Sequence, residues 1–266
     1  PGHSSAASDV YKRQPEGGED GSAGFLFFET ADGYQFKSID KLFDKQQKKS
    51  YVFNNSTDAK EGIPVGYDGK ILQHQADSSI NVQSKMNMGA YKTKLVMFDP
   101  YNCKYVVDEK TADEAVEKKK VKLAGKGLPV FNEKFKTPTK DFTRTTFMMI
   151  DSGTLPSGAT EEQIKENQKD NFKAAQTLNQ AIRRYNQLFS SMMQITIAGD
   201  FSLHAGDVIF VDIFSVQAEK DDTLNRESGG LYIIADLCHF LDADATYTKL
   251  NLARDSFGRK GNHSKR

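Results

Sequence analysis

The feature that most constrains the fold is a change of hydrophobic period after Gln194. From there on, apolar and polar residues alternate, as in Ile195-Thr196-Ile197, which is typical of a strand with one buried face. Further segments rich in β-branched and aromatic residues follow at 208–214, 231–240 and 246–252. Closely spaced strands of this kind favour a small antiparallel barrel or sandwich, because closing the sheet removes unpaired edges. We therefore predict a β-barrel-like domain over residues 194–257 and a basic tail over 258–266.

Ahead of this domain, the sequence predicts one long connecting helix over residues 160–193. Thr160 and Gln163 have the spacing of a capping box. Arg183 and Asn186 fall outside the apolar stripe that follows. The stripe recurs at steps of three and four residues: Phe172, Ala175, Leu178, Ile182, Tyr185, Leu188, Phe189 and Met192. We expect this stripe to pack against a sheet or another helix, since no heptad pattern is sustained long enough for an intermolecular coil.

The region 24–159 is predicted to combine strands with short helices. It begins with a hairpin turning at Asp32-Gly33 and a short helix entered through Ser38. Residues 1–23 are rich in Gly, Ser, Ala and charge, which predicts a disordered leader that need not be native sequence. The fold class predicted for the whole chain is α+β and β-rich, with one or more small antiparallel barrels and a long amphipathic helix.

Composition argues against several classes of function. Thirty-six Lys and Arg residues balance thirty-six Asp and Glu residues, so no direct nucleic-acid readout is expected. The two cysteines, Cys103 and Cys238, cannot form a disulfide scaffold or a cysteine-built zinc site. The longest apolar stretch, residues 231–241, is shorter than the roughly 20 residues of a membrane helix. We therefore predict no membrane span.

No sequence motif contains the full set of residues that a known catalytic or metal-binding site requires. Motifs for a zinc protease, a nucleophile elbow and a phosphate-binding loop are incomplete or missing. A partial calcium loop at 242–253 lacks the turn glycine and the closing glutamate. His239 lies in an apolar strand and is interpreted as a hydrogen-bonded structural imidazole. We predict no catalytic residue, no cofactor and no metal site, and we expect the protein not to be an enzyme. The sequence leaves open whether two carboxylates lie at a distance suited to glycoside hydrolysis, because that distance depends on the folded structure.

Two parts of the sequence carry a resemblance to a known family. The first is Phe27–Leu42, FFETADGYQFKSIDKL. The second comprises four segments in order: 184–189 (RYNQLF), 195–209 (ITIAGDFSLHAGDVI), 228–234 (SGGLYII) and 247–255 (YTKLNLARD). In these segments the chain resembles the baseplate central hub proteins of contractile-tailed, myovirus-type bacteriophages, roughly over residues 24–257.

The resemblance implies a structural role in a virion. It implies a homotrimer whose subunits carry two tube-like β-domains each, and which adapts the hexameric tail tube to the trimeric central spike. The implied partners are other copies of the chain, the tail spike or lysozyme protein, and the tail tube and baseplate wedge proteins. The implied location is the tail baseplate, after synthesis in the host cytoplasm. Family members carry a further β-domain ahead of the Phe27 segment, so residues 24–159 are expected to hold a remnant of the first barrel.

Three glycines are singled out as structural turn residues. Gly33 lies in the predicted hairpin turn, and Gly199 and Gly206 are expected to supply positive φ at tight turns on either side of the segment that enters the Val208 strand.

Two alternative functions stay open. The first is a tail-associated cell-wall hydrolase, because modules of that kind accompany hubs. The second is a receptor-binding or glycan-binding tail module, in which Tyr67 and Tyr101 would serve as stacking platforms. Ordinary half-buried packing also explains these two tyrosines.

Overall fold

The computed structural model describes ten stretches of the chain: residues 24–53, 68–76, 81–100, 103–111, 123–125, 127–128, 134, 141–149, 174–213 and 228–257. The predicted leader (1–23), the first part of the predicted helix (160–173) and the basic tail (258–266) lie outside these described residues.

Strands dominate the described residues. They are β1 (Phe25–Thr30), β2 (Gly33–Ser38), β3 (Lys49–Phe53), β4 (Ile71–Ala76), β5 (Lys92–Asp99), β6 (Lys104–Thr111), β7 (Arg144–Met149), β8 (Ser191–Ala198), β9 (Val208–Ile213), β10 (Gly230–Leu241) and β11 (Thr246–Arg254). The helices are α1 (Ile39–Phe43), α2 (Val82–Met88) and α3 (Ala174–Leu188). The prediction of a β-rich fold is confirmed. None of these helices has the length and apolarity required to span a bilayer.

The chain divides into two compact units that alternate along the sequence. The barrel unit comprises Leu26–Asn81, Lys122–Pro129 and Gln187–Arg266, and the sheet unit comprises Pro1–Phe25, Val82–Val121 and Val130–Asn186. Neither unit is one continuous stretch, so the predicted divisions at 159/160 and 193/194 do not separate them. Local hydrophobic period identifies strands and helices, but it does not specify which distant strand each one pairs with.

The barrel unit is built on a six-stranded sheet in the order β3-β9-β10-β11-β8-β4. The four strands from the C-terminal region pair antiparallel, as predicted. Strand β3 instead runs parallel to β9. Val52 of the edge strand β3 forms an isolated parallel bridge with Lys70, the residue before the other edge strand β4, and the Val52 amide donates to the Gly69 carbonyl at 2.8 Å. The sheet therefore curls round until its two edges meet at this point.

This topology corrects the predicted extent of the barrel. Residues 194–257 do not form it alone, because β3 and β4 come from the region that was assigned to a separate N-terminal module. The physical reason is that a sheet of four strands keeps two unpaired edges, and the two additional strands fill the remaining gap.

The interior of the barrel is filled by apolar side chains from all six strands. Ile195, Ile209 and Leu250 are completely buried. The other buried members of this cluster are Tyr51, Ile71, Met193, Ile197, Leu203, Val211, Ile213, Tyr232, Ile234 and Leu252. Burying a large apolar side chain stabilises the folded state by about 1.5–3 kcal/mol relative to leaving it in water. The interior is thus a packed core.

A second apolar cluster covers the outside of β9 and β10. The Ser38 hydroxyl caps α1 by accepting a hydrogen bond from the Lys41 amide at 3.2 Å, as the sequence indicated. Helix α1 then packs Ile39 and Leu42 into a cluster that includes Val208 and Ile233, and the β1–β2 hairpin adds Leu26 and Phe28. The segment from 26 to 43 is therefore an outer cover of the barrel.

Helix α3 differs from its prediction in length and in the face it buries. It ends at Leu188, and β8 already begins at Ser191, so the predicted helical end at Met193 is wrong. Tyr185 and Phe189, assigned to the packed stripe, are largely exposed, whereas Arg183, predicted to lie outside the stripe, is buried.

Hydrogen bonds to β6 explain the buried polar face of α3. The Asn179 amide donates to the Asp108 carboxylate at 2.8 Å and to the Asp108 carbonyl at 3.1 Å. The Arg183 guanidinium donates to the Thr111 carbonyl at 3.3 Å. A polar side chain can be buried when its partners replace water, which hydrophobic periodicity alone does not predict.

The core of the sheet unit is a three-stranded sheet in the order β6-β5-β7. Strand β5 pairs antiparallel with β6 and parallel with β7. Thr93, Leu95 and Met97 of β5 are buried on one face of this sheet. Asp108, which binds Asn179, lies on the same face because it is paired with Leu95. Helix α3 therefore covers this face.

Replacing Ile195 by Ala tests the packed barrel interior. Ile195 is 0% exposed, so we expect Ile195→Ala to lower the free energy of unfolding by about 2–5 kcal/mol. Leu72→Ala on β4 is the control, because Leu72 is 45% exposed and should cost less than about 1 kcal/mol. Urea unfolding monitored by circular dichroism measures both. Equal losses for the two variants would contradict a core at Ile195.

Candidate functional site

One end of the barrel is closed by the loop between β8 and β9, residues 199–207, which we name the cap loop. The Leu203 side chain on this loop is buried and belongs to the interior cluster of the barrel. The cap loop therefore does more than connect two strands, because it places an apolar side chain into the open end of the core.

Asp200 holds the cap loop to the barrel. Its carboxylate accepts hydrogen bonds from the Tyr51 hydroxyl at 3.0 Å, the Ser202 amide at 3.1 Å and the Ser202 hydroxyl at 2.7 Å. It also forms an ion pair with Lys49. The Asp200 amide donates to the Thr248 hydroxyl at 3.0 Å. One residue thus connects β3, β11 and the loop itself.

These contacts change the acidity of the two groups that share a hydrogen bond. Burial alone would raise the pKa of Asp200, but the hydrogen bonds from Lys49, Ser202 and Tyr51 outweigh it and lower the pKa to about 2. Burial, followed by the charge of Asp200, raises the pKa of the Tyr51 hydroxyl far above its usual range. At neutral pH the pair is a carboxylate accepting from a neutral phenol.

Three lysines from the segment that enters β3 bind the cap loop, and we name Lys45, Lys48 and Lys49 the lysine clamp. The Lys48 ammonium lies 2.7 Å from the Asp207 carboxylate and also donates to the Ser202 carbonyl. The Lys45 ammonium donates to the Gly206 carbonyl at 3.1 Å. Single exposed ion pairs contribute about 0–1 kcal/mol each, so the effect of the clamp depends on several contacts acting on one short loop.

His239 and His204, near the capped end of the barrel, take part in hydrogen bonds within the fold. The His239 ring shares a hydrogen bond of 2.9 Å with the Thr248 hydroxyl, and its centroid lies 4.7 Å from that of Phe201. The His204 amide donates to Asp207 at 2.9 Å. The hydrogen-bonded role that the sequence indicated for His239 agrees with this geometry.

The three predicted turn glycines differ in their conformations. Gly33 has φ of 110° and Gly206 has φ of 80°, both in the region that side chains other than glycine rarely adopt. Gly199 does not have positive φ, so that expectation is wrong. Space is what requires glycine there, because a Cβ atom at Gly199 would lie 2.4 Å from the Thr246 methyl and 3.3 Å from its backbone carbon.

Gly206 is constrained by its backbone and by its neighbours. Its amide donates to the Ile234 carbonyl at 2.8 Å, which connects the cap loop to β10. A Cβ atom at this position would lie 2.6 Å from the Phe28 ring and 3.6 Å from Leu42. The outer cover of the barrel therefore packs directly on the glycine.

A second polar cluster lies at the end of β11, where Arg254, Asp255 and Ser256 are completely buried. The Arg254 guanidinium carbon lies 4.7 Å from the centroid of the Tyr232 ring, and the group donates to the Gly229 carbonyl at 3.1 Å. The Asp255 carboxylate accepts from the Ala124 amide at 3.0 Å. These residues fasten the short segment around 124 to the barrel.

Sequence reasoning missed both the lysine clamp and the buried polar cluster. The lysines occur in a polar, turn-rich segment where nothing distinguishes them from solvated surface charge. The carboxylates that they bind lie more than 150 residues away. Tyr67 and Tyr101, the candidate stacking residues, lie outside the described residues.

The described stretches contain no group of three or more His, Cys, Asp or Glu side chains arranged to hold a metal ion. The acidic residues of the capped end, Asp200 and Asp207, are each paired with a lysine. The ion pairs and hydrogen bonds of this site therefore hold the cap loop over the end of the barrel interior.

Known proteins give the following comparisons. No protein-family model matches the sequence, and no curated protein does. Among solved structures, the chain is similar to a tail protein from Neisseria meningitidis MC58, with a TM-score of 0.43 and 10% identity over 88% of this chain and 52% of that one. It is also similar to the 43 kDa tail protein of prophage MuSo2 from Shewanella oneidensis, with a TM-score of 0.43 and 9% identity over 88% of this chain and 51% of that one. The chain spans about half the length of these two proteins.

Substitutions at Gly206 separate the two constraints on that position. We expect Gly206→Ala to destabilise the barrel unit by more than about 1 kcal/mol, because alanine is strained at positive φ and its Cβ meets the Phe28 ring. Gly206→Val should cost more, since two further methyl groups enter the same space. Thermal unfolding measures both variants, and an unchanged melting temperature for Gly206→Val would contradict this packing.

Replacing Asp200 by Asn tests the electrostatic fastening of the cap loop. The pKa of Asp200 is lowered in the folded state, so its contribution to stability is present above the unfolded-state value and is lost as pH falls from about 4 to about 2. We expect Asp200→Asn to lower the melting temperature near neutral pH. The difference from wild type should shrink as the pH approaches 2.

The control for this variant is Asp244→Asn, on the exposed turn between β10 and β11, which should leave the melting temperature unchanged. A difference between wild type and Asp200→Asn that stays constant down to about pH 2 would show that the carboxylate charge of Asp200 is not what fastens the loop.

Proposed function

We propose that this chain is a structural subunit of a bacteriophage tail baseplate, a trimeric hub that adapts the hexameric tail tube to the trimeric central spike. The observation that carries the proposal is where the hub-like sequence segments lie in the fold. Segments that are far apart in the chain form one body, and each has a structural task in it.

The first hub-like segment, Phe27–Leu42, forms most of the β1–β2 hairpin and α1, which cover the barrel. Residues 195–209 supply most of β8, the cap loop and the start of β9. Residues 228–234 supply the part of β10 that pairs with β9, and residues 247–255 supply nearly all of β11 together with Arg254 and Asp255 of the buried polar cluster. These four segments belong to the barrel unit, whereas the remaining hub-like segment, 184–189, is divided between the units, with 184–186 in the sheet unit. The hub-like segments therefore supply the outer cover, the cap loop and residues of four of the six barrel strands, while β3 and β4 lie outside them. This supports a shared architecture for the matched part of the barrel unit.

The packed interior supports a passive role. Side chains from every barrel strand fill the core, and Leu203 closes one end, so the parts of the barrel open to a partner are its outer faces and strand edges. A hub acts through such surfaces, because it holds rings of different symmetry together and makes or breaks no covalent bond. The proposed partners are further copies of the chain, the spike or lysozyme protein, and the tube and wedge proteins of the baseplate.

The proposed site of action is the virion tail, with the protein made in the host cytoplasm and incorporated during assembly. A threefold ring requires one repeated contact between two different surfaces of neighbouring copies, or one surface that faces the threefold axis. The functional residues of such a protein are therefore interface residues and the residues that hold an interface in shape, such as those of the cap loop.

Native mass spectrometry of the purified chain tests this function. We expect a trimer, and a larger complex after mixing with the spike protein of the same virus, because hub and spike share threefold symmetry. A chain that stays monomeric at high concentration and forms no complex with that spike contradicts the proposal. Release of soluble muropeptides when the chain is incubated with peptidoglycan would favour the hydrolase alternative instead.

A further inference from the structure

The sheet unit presents an exposed apolar surface on the face of the β6-β5-β7 sheet opposite to α3. We name this surface the apolar face; its members are Val96, Phe98, Tyr105, Val107, Phe147 and Met149. They lie on one side of the sheet because successive residues of a strand point to opposite faces, and their buried neighbours Leu95 and Met97 point to the other.

The strand register places these six side chains in two adjacent rows. Phe98 of β5 is paired with Tyr105 of β6 and with Met149 of β7. Val96 is paired with Val107 and with Phe147 in the same way. Directly paired side chains on one face are in contact distance, so the six form a continuous surface rather than scattered exposed residues.

The exposed area of this surface is comparable to that of apolar patches through which proteins bind other molecules. Phe147 is 77% exposed, Met149 75%, Tyr105 71%, Val107 46% and Phe98 42%. Because a large aromatic side chain covers about 150–250 Å² when buried, the exposed parts amount to something on the order of 500 Å². The largest apolar patch of a typical monomer is about 300–600 Å² and is itself often functional. A stable protein interface buries about 800 Å² on each partner, so this surface could form most of one.

The charges beside the apolar face indicate what kind of partner it fits. The next row along the strands contains Lys94 paired with Glu109, and Lys92 forms an ion pair with Glu109 at 2.6 Å. Both signs are therefore present at this border. Glu109 offsets one of the two lysine charges, so the border has a single excess positive charge rather than the run of cations that a nucleic acid or an anionic lipid surface favours. A surface with the same apolar rows and the same mixed border is complementary to it.

We propose that the apolar face is the surface through which copies of this chain associate, with the same face of the other copies as its occupant. This inference rests on the proposed function, since a threefold ring supplies the other copies. In a threefold arrangement, three copies of the apolar face meet around the axis, and their strands run along it. Each row of side chains then lies at the same level along the axis as the equivalent rows of the other two copies. The apolar rows then share one core, and Lys94 and Glu109 of neighbouring copies alternate at its border.

Sedimentation velocity of the full chain over a range of concentrations tests the proposal. The double variant Phe147→Lys, Met149→Lys introduces two charges at the β7 edge of the apolar face, and Tyr105→Lys introduces one at the β6 edge. We expect each variant to raise the dissociation constant of self-association at least about tenfold, because buried aromatic residues contribute most of the affinity of an interface. The substituted residues are mostly exposed, so the melting temperature of the dilute protein should change little.

Phe27→Lys is the matched control. Phe27 is 70% exposed on β1, is as large and apolar as Phe147, and belongs to the barrel unit. We expect this variant to associate as the wild-type protein does. Association of the Phe147→Lys, Met149→Lys protein with unchanged affinity overturns the inference about the apolar face while the trimeric hub stands.

The remaining outcomes separate the two proposals. A wild-type dimer that Phe147→Lys, Met149→Lys converts to a monomer supports the apolar face as the contact between copies and contradicts a threefold hub. A wild-type protein that stays monomeric contradicts both. Binding of that monomer to phosphatidylglycerol vesicles or to the spike protein, lost in the double variant, would overturn self-association in favour of a membrane or a different protein as the occupant of the face.

Discussion

Closure of the six-stranded sheet is the constraint on which the rest of the barrel unit depends. Two strands from the N-terminal part complete a sheet whose other four strands are contiguous in the chain, and the cap loop then seals one end with Leu203. Asp200 and the lysine clamp hold that loop against β3, the strand that runs parallel to β9. The contacts that seal the end thus also hold an N-terminal strand beside a C-terminal one, which ties chain topology to core packing.

The two units differ in how much of the apolar surface of their sheets is buried within the chain. In the barrel unit, the inner surface of the sheet is filled by its own strands, and the outer surface of β9 and β10 is covered by α1 and the β1–β2 hairpin. In the sheet unit, α3 covers one face through hydrogen bonds from a polar helical surface, and the opposite face keeps exposed aromatic side chains. Under the proposal that copies of the chain associate through this face, another copy would cover it.

The proposed structural role agrees with how polar groups are used in the described part of the chain. Asp200, Asp207 and Asp255 each hold one segment of backbone or side chain to another. The buried Arg254 lies over Tyr232 and binds a backbone carbonyl, so its charge serves packing. Charge in this protein thus fastens loops and strand ends, and the proposed hub function needs these shapes to persist under mechanical load.

Local sequence patterns were sufficient to predict the elements whose signals lie within a few neighbouring residues. Alternation after Gln194 predicted the C-terminal strands, Ser38 predicted the start of α1, and the turn residues predicted the turn at Gly33 and positive φ at Gly206, because each of these depends on neighbours within a few residues. Three features became visible only in the fold: β3 and β4 complete the barrel, Gly199 is needed for space beside Thr246, and α3 buries Asn179 and Arg183. Each of these depends on a partner far away in the chain, and a local pattern of apolar and polar residues contains no information about which partner that is.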